Sequence, residues 1–180
     1  MKKTVGVKKK ICLIGDPAVG KTSLIRKYVT DVFDDKYIGT LGTKVTKKRV
    51  LIEQPEINYD LTLAIWDILG QKEFQRIQNM AYRGAKGVFL VCDLTRKDTL
   101  DNLQEWSNAI KQVTNEIPIV IVANKCDLEN QAYGEDEIRN VSKSLNNSPY
   151  IITSAKTGDN VNEAFYKMGE FVIDTIDNLE

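Results

Sequence analysis

Four short polar motifs lie along the chain, each after an apolar run. They are Gly15-x4-Gly20-Lys21-Thr22, Asp67-Ile68-Leu69-Gly70-Gln71, Asn124-Lys125-Cys126-Asp127 and Ser154-Ala155-Lys156. Apolar, β-branched runs of this length are typical of buried strands, so each motif is expected where a strand ends. Because the carboxyl ends of parallel strands meet at one edge of an open sheet, the motifs predict an α/β fold with a binding site at that edge.

The first motif predicts a phosphate-binding loop, residues 15–20. An apolar strand precedes it and a helix follows, so backbone N–H groups at the helix start point toward a bound polyphosphate. Lys21 is placed to reach the β- and γ-oxygens, and the Thr22 hydroxyl to bind Mg²⁺. A glycine turn that serves only packing is the alternative. The predicted nucleotide contacts here are Gly15, Asp16, Ala18, Val19, Gly20, Lys21, Thr22 and Ser23.

The second motif predicts the catalytic edge of the site. Asp67 ends an apolar strand, and its carboxylate suits the Mg²⁺ shell. Gly70 frees the chain to turn toward a γ-phosphate, and the Gln71 amide can orient an attacking water without titrating. Taken alone, an Asp-x-x-Gly segment is equally a turn at a strand end.

The third and fourth motifs specify the base. A carboxylate at Asp127 accepts from the N1–H and the 2-amino group of guanine, whereas adenine offers neither donor there. Lys125 can cover the purine face with its methylenes, and Asn124 can tie this loop to the phosphate-binding loop. Ser154, Ala155 and Lys156 follow another strand; the Ala155 N–H is predicted to meet guanine O6, and a plain surface turn is the alternative. Leu128 completes the predicted contacts.

These motifs resemble those of the Ras superfamily of small GTPases over nearly the whole chain, most closely its Rab-like branch. Five further segments carry the Rab-like resemblance. They are Tyr37-Ile38-Gly39-Thr40-Leu41-Gly42, Trp66, Tyr82-Arg83-Gly84-Ala85, the run from Leu90 to Thr95, and Asn102-Leu103-x2-Trp106.

The resemblance implies further site residues. Thr40 is the switch I threonine that meets Mg²⁺ and the γ-phosphate, Tyr37 contacts the nucleotide, and Phe33 lies against guanine. From the residues alone, Thr40 is equally a turn hydroxyl and Phe33 equally a core anchor. The catalytic residues expected are Gln71, Lys21 and Thr40, and the Mg²⁺ ligands Thr22, Thr40 and Asp67.

The fold expected is that of P-loop NTPases in its small G-protein form, with residues 1–180 as one G domain. It has a six-stranded, mostly parallel sheet with one antiparallel edge strand, and five helices. Strands are predicted at 10–15, 44–52, 59–67, 87–93, 117–123 and 149–153, and helices at 21–30, 73–82, 98–113, 134–146 and 159–177.

The function expected is a switch that binds GTP or GDP with Mg²⁺ and hydrolyses GTP slowly, on the order of 10⁻⁴ to 10⁻² per second, because no cationic finger in cis is evident. An effector, an exchange factor and a GTPase-activating protein are the expected partners. A binding module with negligible hydrolysis is the alternative. Leu69 and Pro17 depart from the family pattern at positions that affect assisted hydrolysis. Lys72 departs from it at a position that affects nucleotide exchange.

Composition limits the remaining classes. Lysine plus arginine equals aspartate plus glutamate at 25 each, so no net charge indicates a nucleic-acid partner. Separately, we expect the protein to be a monomer. The absence of histidine excludes histidine-based metal sites and bases. Three isolated cysteines, Cys12, Cys92 and Cys126, are typical of a reduced, cytoplasmic protein.

Membrane attachment is expected only through partners. The lysines near the N-terminus are interpreted as a solvated lead into the first strand, and no secretory signal or membrane-spanning run is evident. The last residues offer no cysteine for prenylation. Of three Rab effector aromatics only Trp66 is present, with Val45 and Ala81 at the other positions, which indicates a non-standard effector.

Overall fold

A computed structural model of the chain describes residues 2–34, 42–70 and 75–177. Strands and helices follow one another along these residues, with two consecutive strands after the first helix and two consecutive helices after the fourth strand. The strands are β1 (Lys3–Ile14), β2 (Thr43–Glu53), β3 (Ile57–Ile68), β4 (Gly87–Asp93), β5 (Ile119–Asn124) and β6 (Tyr150–Ile152). The helices are α1 (Lys21–Thr30), α2 (Gln75–Tyr82), α3 (Lys97–Asp101), α4 (Leu103–Lys111), α5 (Glu135–Ser144) and α6 (Val161–Asp177).

The strands form one sheet in the order β2-β3-β1-β4-β5-β6. β2 pairs with β3 in the antiparallel sense, and every other pairing in the described part of the chain is parallel. The predicted α/β fold with one antiparallel edge strand is therefore confirmed. The predicted helix 98–113 is interrupted only at Asn102, which separates α3 from α4.

Two apolar cores lie on the two faces of the sheet. On one face α1 and α6 pack against the strands, and the Phe165 ring of α6 stacks on Tyr28 of α1 with centroids 4.0 Å apart. On the other face α4 and α5 cover the sheet, with Trp106 and Ile138 buried against it. Every residue of β4 is buried, because helices cover both faces of this central strand.

β1 begins seven residues earlier than residue 10, the predicted start, because it pairs with β3 from Lys3 opposite Ile57 to Leu13 opposite Asp67. Val5 and Val7 point to the core, while Lys8 is exposed. The lysine-rich start is thus part of the sheet rather than a solvated lead. The spacing of Val5 and Val7, two residues apart between non-apolar neighbours, was the signal for a strand with one buried face.

The helices of the described ranges lack the combination of length and apolar character that crossing a membrane requires.

Candidate functional site

The four motifs come together at the carboxyl edge of the parallel strands, as their order predicts. Gly15 follows β1 at a φ of 149°, and a Cβ there would lie 2.2 Å from the Val91 carbonyl oxygen of β4. Only glycine fits this close approach, so the loop leaves the sheet directly over β4. The residues after Gly15 then turn into α1.

Lys21 lies inside the turn that the loop makes. Its ammonium donates to the carbonyl oxygens of Gly15 and Asp16, each at 2.8 Å, and the residue is only 6% exposed. Burial lowers the pKa of Lys21 to about 8, and the neighbouring carboxylates of Asp67 and Asp16 oppose that shift. The loop therefore holds a buried cation at the place predicted for phosphate oxygens.

Thr22 and Asp67 supply two hard oxygen ligands side by side. The Thr22 hydroxyl donates to Oδ2 of Asp67 at 2.5 Å, and Asp67 is 3% exposed at the end of β3. Mg²⁺ in nucleotide sites takes one or two protein oxygens and completes its shell with phosphate oxygens and water. The pair fits that requirement.

The segment after β3 packs directly on the phosphate-binding loop. A Cβ on Gly70 would lie 2.6 Å from the Gly15 carbonyl oxygen and 2.7 Å from Nζ of Lys21, so a larger residue would separate the two segments. The Leu69 side chain is buried, and its carbonyl accepts from Nε2 of the buried Gln78 at 2.8 Å. Gln71, Lys72, Tyr37 and Thr40 lie outside the described residues, so their predicted roles remain predictions.

Asn124 joins three segments that are distant in sequence. Its Nδ2 donates to the Val19 carbonyl at 3.0 Å, while its Oδ1 accepts from the Ala155 N–H at 3.1 Å and the Thr153 hydroxyl at 3.2 Å. Gly20, at a φ of 105°, leaves room for this amide, since a Cβ there would lie 2.2 Å from Nδ2. The Ala155 N–H, expected at guanine O6, thus has a partner within the protein.

Lys125 and Asp127 line the outer part of this junction. The Lys125 ammonium donates to the Ala18 carbonyl at 2.8 Å and lies 2.6 Å from the Asp93 carboxylate. Oδ1 of Asp127 accepts from the Ser154 hydroxyl at 2.6 Å. Both residues remain partly exposed, so the Asp127 carboxylate is accessible to a base.

The other predicted contacts lie around this centre. Leu128 and Lys156 are exposed, and Ser23 is partly buried at the start of α1. Phe33 is partly buried and packs against the apolar core that includes α1. This position agrees with the alternative that Phe33 anchors the core. Its proposed contact with guanine stays a prediction.

Asp16 is one of the predicted nucleotide contacts, and that contact stays a prediction. Its carboxylate faces α4 rather than the inside of the loop, where Oδ1 accepts from Nε1 of Trp106 and Oδ2 from Nδ2 of Asn102, each at 2.7 Å. Its backbone carbonyl, by contrast, does contribute to the loop through Lys21. Trp106 and Asn102 are four residues apart, the spacing of one helix face, but their partner lies 86 or more residues away, so sequence gave no signal of the contact.

Sequence reasoning also missed Arg96 and Asp93. Nη2 of Arg96 donates to the Pro17 carbonyl at 2.8 Å, and its Nε lies 3.3 Å from the Asp93 carboxylate. Asp93 also accepts from the Thr95 N–H at 2.9 Å. Burial raises the pKa of Asp93, but the hydrogen bonds from Lys125 and Thr95 outweigh it and hold that pKa below its usual range. Arg96 therefore contacts the outer side of the loop at Pro17, and the expectation that no cationic finger in cis reaches the γ-phosphate stays a prediction.

The cysteines are free in this structure. Cys12 and Cys92 are buried and Cys126 is partly buried. Burial raises the pKa of both Cys12 and Cys92 to about 12, so these two thiols are unreactive at neutral pH.

The model of the Ras family matches residues 10–174, a range that includes all four motifs. The chain is 36% identical over 170 residues to the Ras-related protein SEC4 of Saccharomyces cerevisiae (strain ATCC 204508 / S288c), covering 94% of this chain and 77% of that protein. It is 34% identical over 165 residues to the Ras-related protein Rab-13 of Bos taurus, and likewise to that of Canis lupus familiaris; each match covers 91% of this chain and 79% of the relative.

Proposed function

The chain belongs to the Ras family, and we infer that it is a Rab-like guanine-nucleotide switch that binds GTP and hydrolyses it to GDP. The observation that carries this inference is the junction at Asn124, whose amide contacts the phosphate-binding loop and the Ser154 segment at once. One side chain thereby fixes the distance between a polyphosphate site and a base site, as a nucleotide-specific pocket requires.

The phosphates would be bound by backbone N–H groups of residues 15–20 and by the Lys21 ammonium. Mg²⁺ would be held by the Thr22 hydroxyl and the Asp67 carboxylate, with Thr40 as a further ligand in the GTP state. When bound, Mg²⁺ neutralises charge on the β- and γ-oxygens. The buried Lys21 adds a fixed positive charge that the protein need not reorganise during the reaction.

Guanine selectivity would rest on Asp127. The Ser154 hydroxyl holds one carboxylate oxygen and thereby orients the group, as expected for a residue that must accept two parallel hydrogen bonds from a base edge. Adenine would offer this carboxylate no donors. In a site formed to hydrogen-bond such donors, their loss lowers affinity by several orders of magnitude.

Hydrolysis would depend on Gln71, which is expected to orient the attacking water, and on Thr40. Without a dedicated finger at the γ-phosphate we expect an unassisted rate on the order of 10⁻⁴ to 10⁻² per second. A GTPase-activating protein, an exchange factor and an effector would then time the switch. We propose that residues 1–180 are one G domain that acts as a monomer in the cytoplasm, peripheral to membranes through its partners.

The effector face would include Val45 and Trp66, which lie opposite each other on β2 and β3. Val45 is 44% exposed, and the Lys10 ammonium lies 3.5 Å from the Trp66 ring centroid. Met80 on α2 is 71% exposed, whereas Ala81 is buried and adds nothing to this surface. With Val45 and Lys10 beside a single aromatic residue, Trp66, this surface would select partners different from those of a surface with three aromatic residues.

Exchange of Asp127 for asparagine tests the base assignment. The amide adds a donor where guanine also donates, so we expect affinity for GDP to fall at least about a hundredfold and affinity for xanthosine diphosphate, which has an acceptor there, to rise. Asp136→Asn on the exposed start of α5 is the matched control. Competition against labelled GDP measures both, and unchanged GDP affinity in Asp127→Asn would refute the assignment.

A further inference from the structure

Asp16 places a carboxylate in a loop that is predicted to bind polyphosphate. A carboxylate beside the predicted phosphate site repels the ligand, and at 6% exposure it is also largely removed from water. Both effects disfavour a charged aspartate here unless its charge is held away from the phosphates and compensated. The structure contains an arrangement that does both.

Two side chains, those of Asn102 and Trp106, donate hydrogen bonds to the Asp16 carboxylate. We call these three residues the Asp16 clasp. The Trp106 indole N–H and the Asn102 amide each donate to a different oxygen at 2.7 Å. Trp106 is 3% exposed and packed in the core between α4 and the sheet, so its position is fixed by packing. Hydrogen bonds to a charged group are worth more than neutral ones, which favours this orientation.

The break between α3 and α4 serves this geometry. Asn102 lies between the two helices as the C-cap of α3 and the N-cap of α4, and its backbone N–H donates to the carbonyl oxygens of Asp98 and Leu100 in α3. The interruption thus falls at the residue whose side chain reaches Asp16, and the first turn of α4 carries Trp106 to the other oxygen.

The outer side of the loop is anchored at neighbouring positions as well. Donors from outside the loop reach the carbonyl of Pro17 from Arg96, of Ala18 from Lys125 and of Val19 from Asn124. With these carbonyls directed outward, the loop has one face that accepts from the protein and an opposite face for a ligand. The clasp puts the Asp16 charge on the protein-facing side.

We propose that Trp106 and Asn102 are positioning residues for nucleotide binding, which act by holding the Asp16 carboxylate on the outer side of the phosphate-binding loop. The proposal rests on the proposed function, since it requires a polyphosphate in the loop. Loss of a clasp donor leaves the carboxylate under-satisfied and its charge less compensated, so it opposes the phosphates more strongly. The effect therefore grows with the charge of the nucleotide.

Release of labelled GDP and of a labelled, non-hydrolysable GTP analogue from the Mg²⁺-loaded protein tests this. We expect Trp106→Phe, which keeps most of the packing but lacks the N–H donor, to release GDP about tenfold faster or more, and the triphosphate to be accelerated further. Asn102→Ala should also accelerate nucleotide release, and it provides an independent test if Trp106→Phe does not fold. Ser142→Ala, which removes one buried hydrogen bond in α5, should leave release unchanged.

Neutralising Asp16 separates the charge effect from general loosening. In Asp16→Asn the repulsion is absent, so adding Trp106→Phe should change release by less than about threefold. If the double variant releases nucleotide as fast as Trp106→Phe alone, or if neither clasp variant changes release, the proposal is wrong. The proposed function is judged separately by the wild type: failure to retain labelled GDP would refute nucleotide binding itself, whatever the variants do.

Discussion

Lys21 faces two opposite demands. It must be charged to attract phosphate oxygens, yet it is buried, and burial lowers its pKa to about 8 while Asp67 and Asp16 only partly compensate. Phosphate oxygens of a bound nucleotide favour the charged form, so the pKa of Lys21 in the complex must be higher than in the free protein.

Nucleotide affinity should consequently depend on pH. Below about pH 8 the free protein already carries the proton, so affinity is constant; above that value binding takes up a proton, and affinity falls by up to about tenfold per pH unit until the pKa of the complex is reached. Equilibrium binding of GDP from about pH 7 to about pH 9 measures this slope.

Lys21→Arg is the control, because a guanidinium does not titrate in this range. Its overall affinity should be lower, but its dependence on pH should be nearly flat. An equal slope in wild type and Lys21→Arg would show that another group carries the titration.

Single residues were predictable where the motif itself states the chemistry. Lys21, Thr22 and Asn124 belong to short motifs whose residue types and spacing indicate a nucleotide site. The structure places all three residues at the same edge of the sheet. Asp93 and Trp106 were not predictable as site residues, because each acts through a tertiary contact that no local spacing encodes.

At the scale of elements, the passage from β1 into the phosphate-binding loop depends on how closely the loop crosses β4. Gly15 lies at this crossing, just after β1, whereas Gly6, inside β1, has nothing within 4 Å of the place a Cβ would occupy. The two glycines therefore have opposite predicted responses to the same substitution.

Gly15→Ala should destabilise the protein by about 3 kcal/mol or more, since the methyl group would clash with the backbone of Val91 in a conformation that alanine rarely adopts. Gly6→Ala should be stabilising by about 0.5–1 kcal/mol, because a strand interior favours alanine over glycine. Urea unfolding in the presence of GDP and Mg²⁺ measures both. A loss below about 1 kcal/mol in Gly15→Ala would contradict the close approach.

Elements were predictable in type and order, and less so in their ends. Apolar periodicity identified every strand and helix, but the lysines of β1 concealed its first seven residues, which are held by pairing with β3 rather than by burial on both faces. The break at Asn102 was equally hidden, because the residues on both sides keep a helical pattern and only the contact with Asp16 distinguishes the position.

At the scale of the whole molecule, the segment after β3 and the loop after β1 meet at the predicted phosphate site. Gly70 contacts the loop that holds Lys21, so in the proposed switch a change at the γ-phosphate would act first on the chain at Gly70. The order of the four motifs already specified the sheet and the edge that carries the site. No sequence pattern predicts the long-range donors that direct the carbonyls of residues 17–19 outward.

Single-turnover hydrolysis tests the central claim most directly. Wild-type protein loaded with radiolabelled GTP and Mg²⁺ should release phosphate with a rate constant on the order of 10⁻⁴ to 10⁻² per second, and Gln71→Leu should release it several times more slowly, because the water loses its orienting amide. Recovery of intact GTP from the wild type after many such half-lives would contradict the assignment of this chain as a GTP-hydrolysing switch.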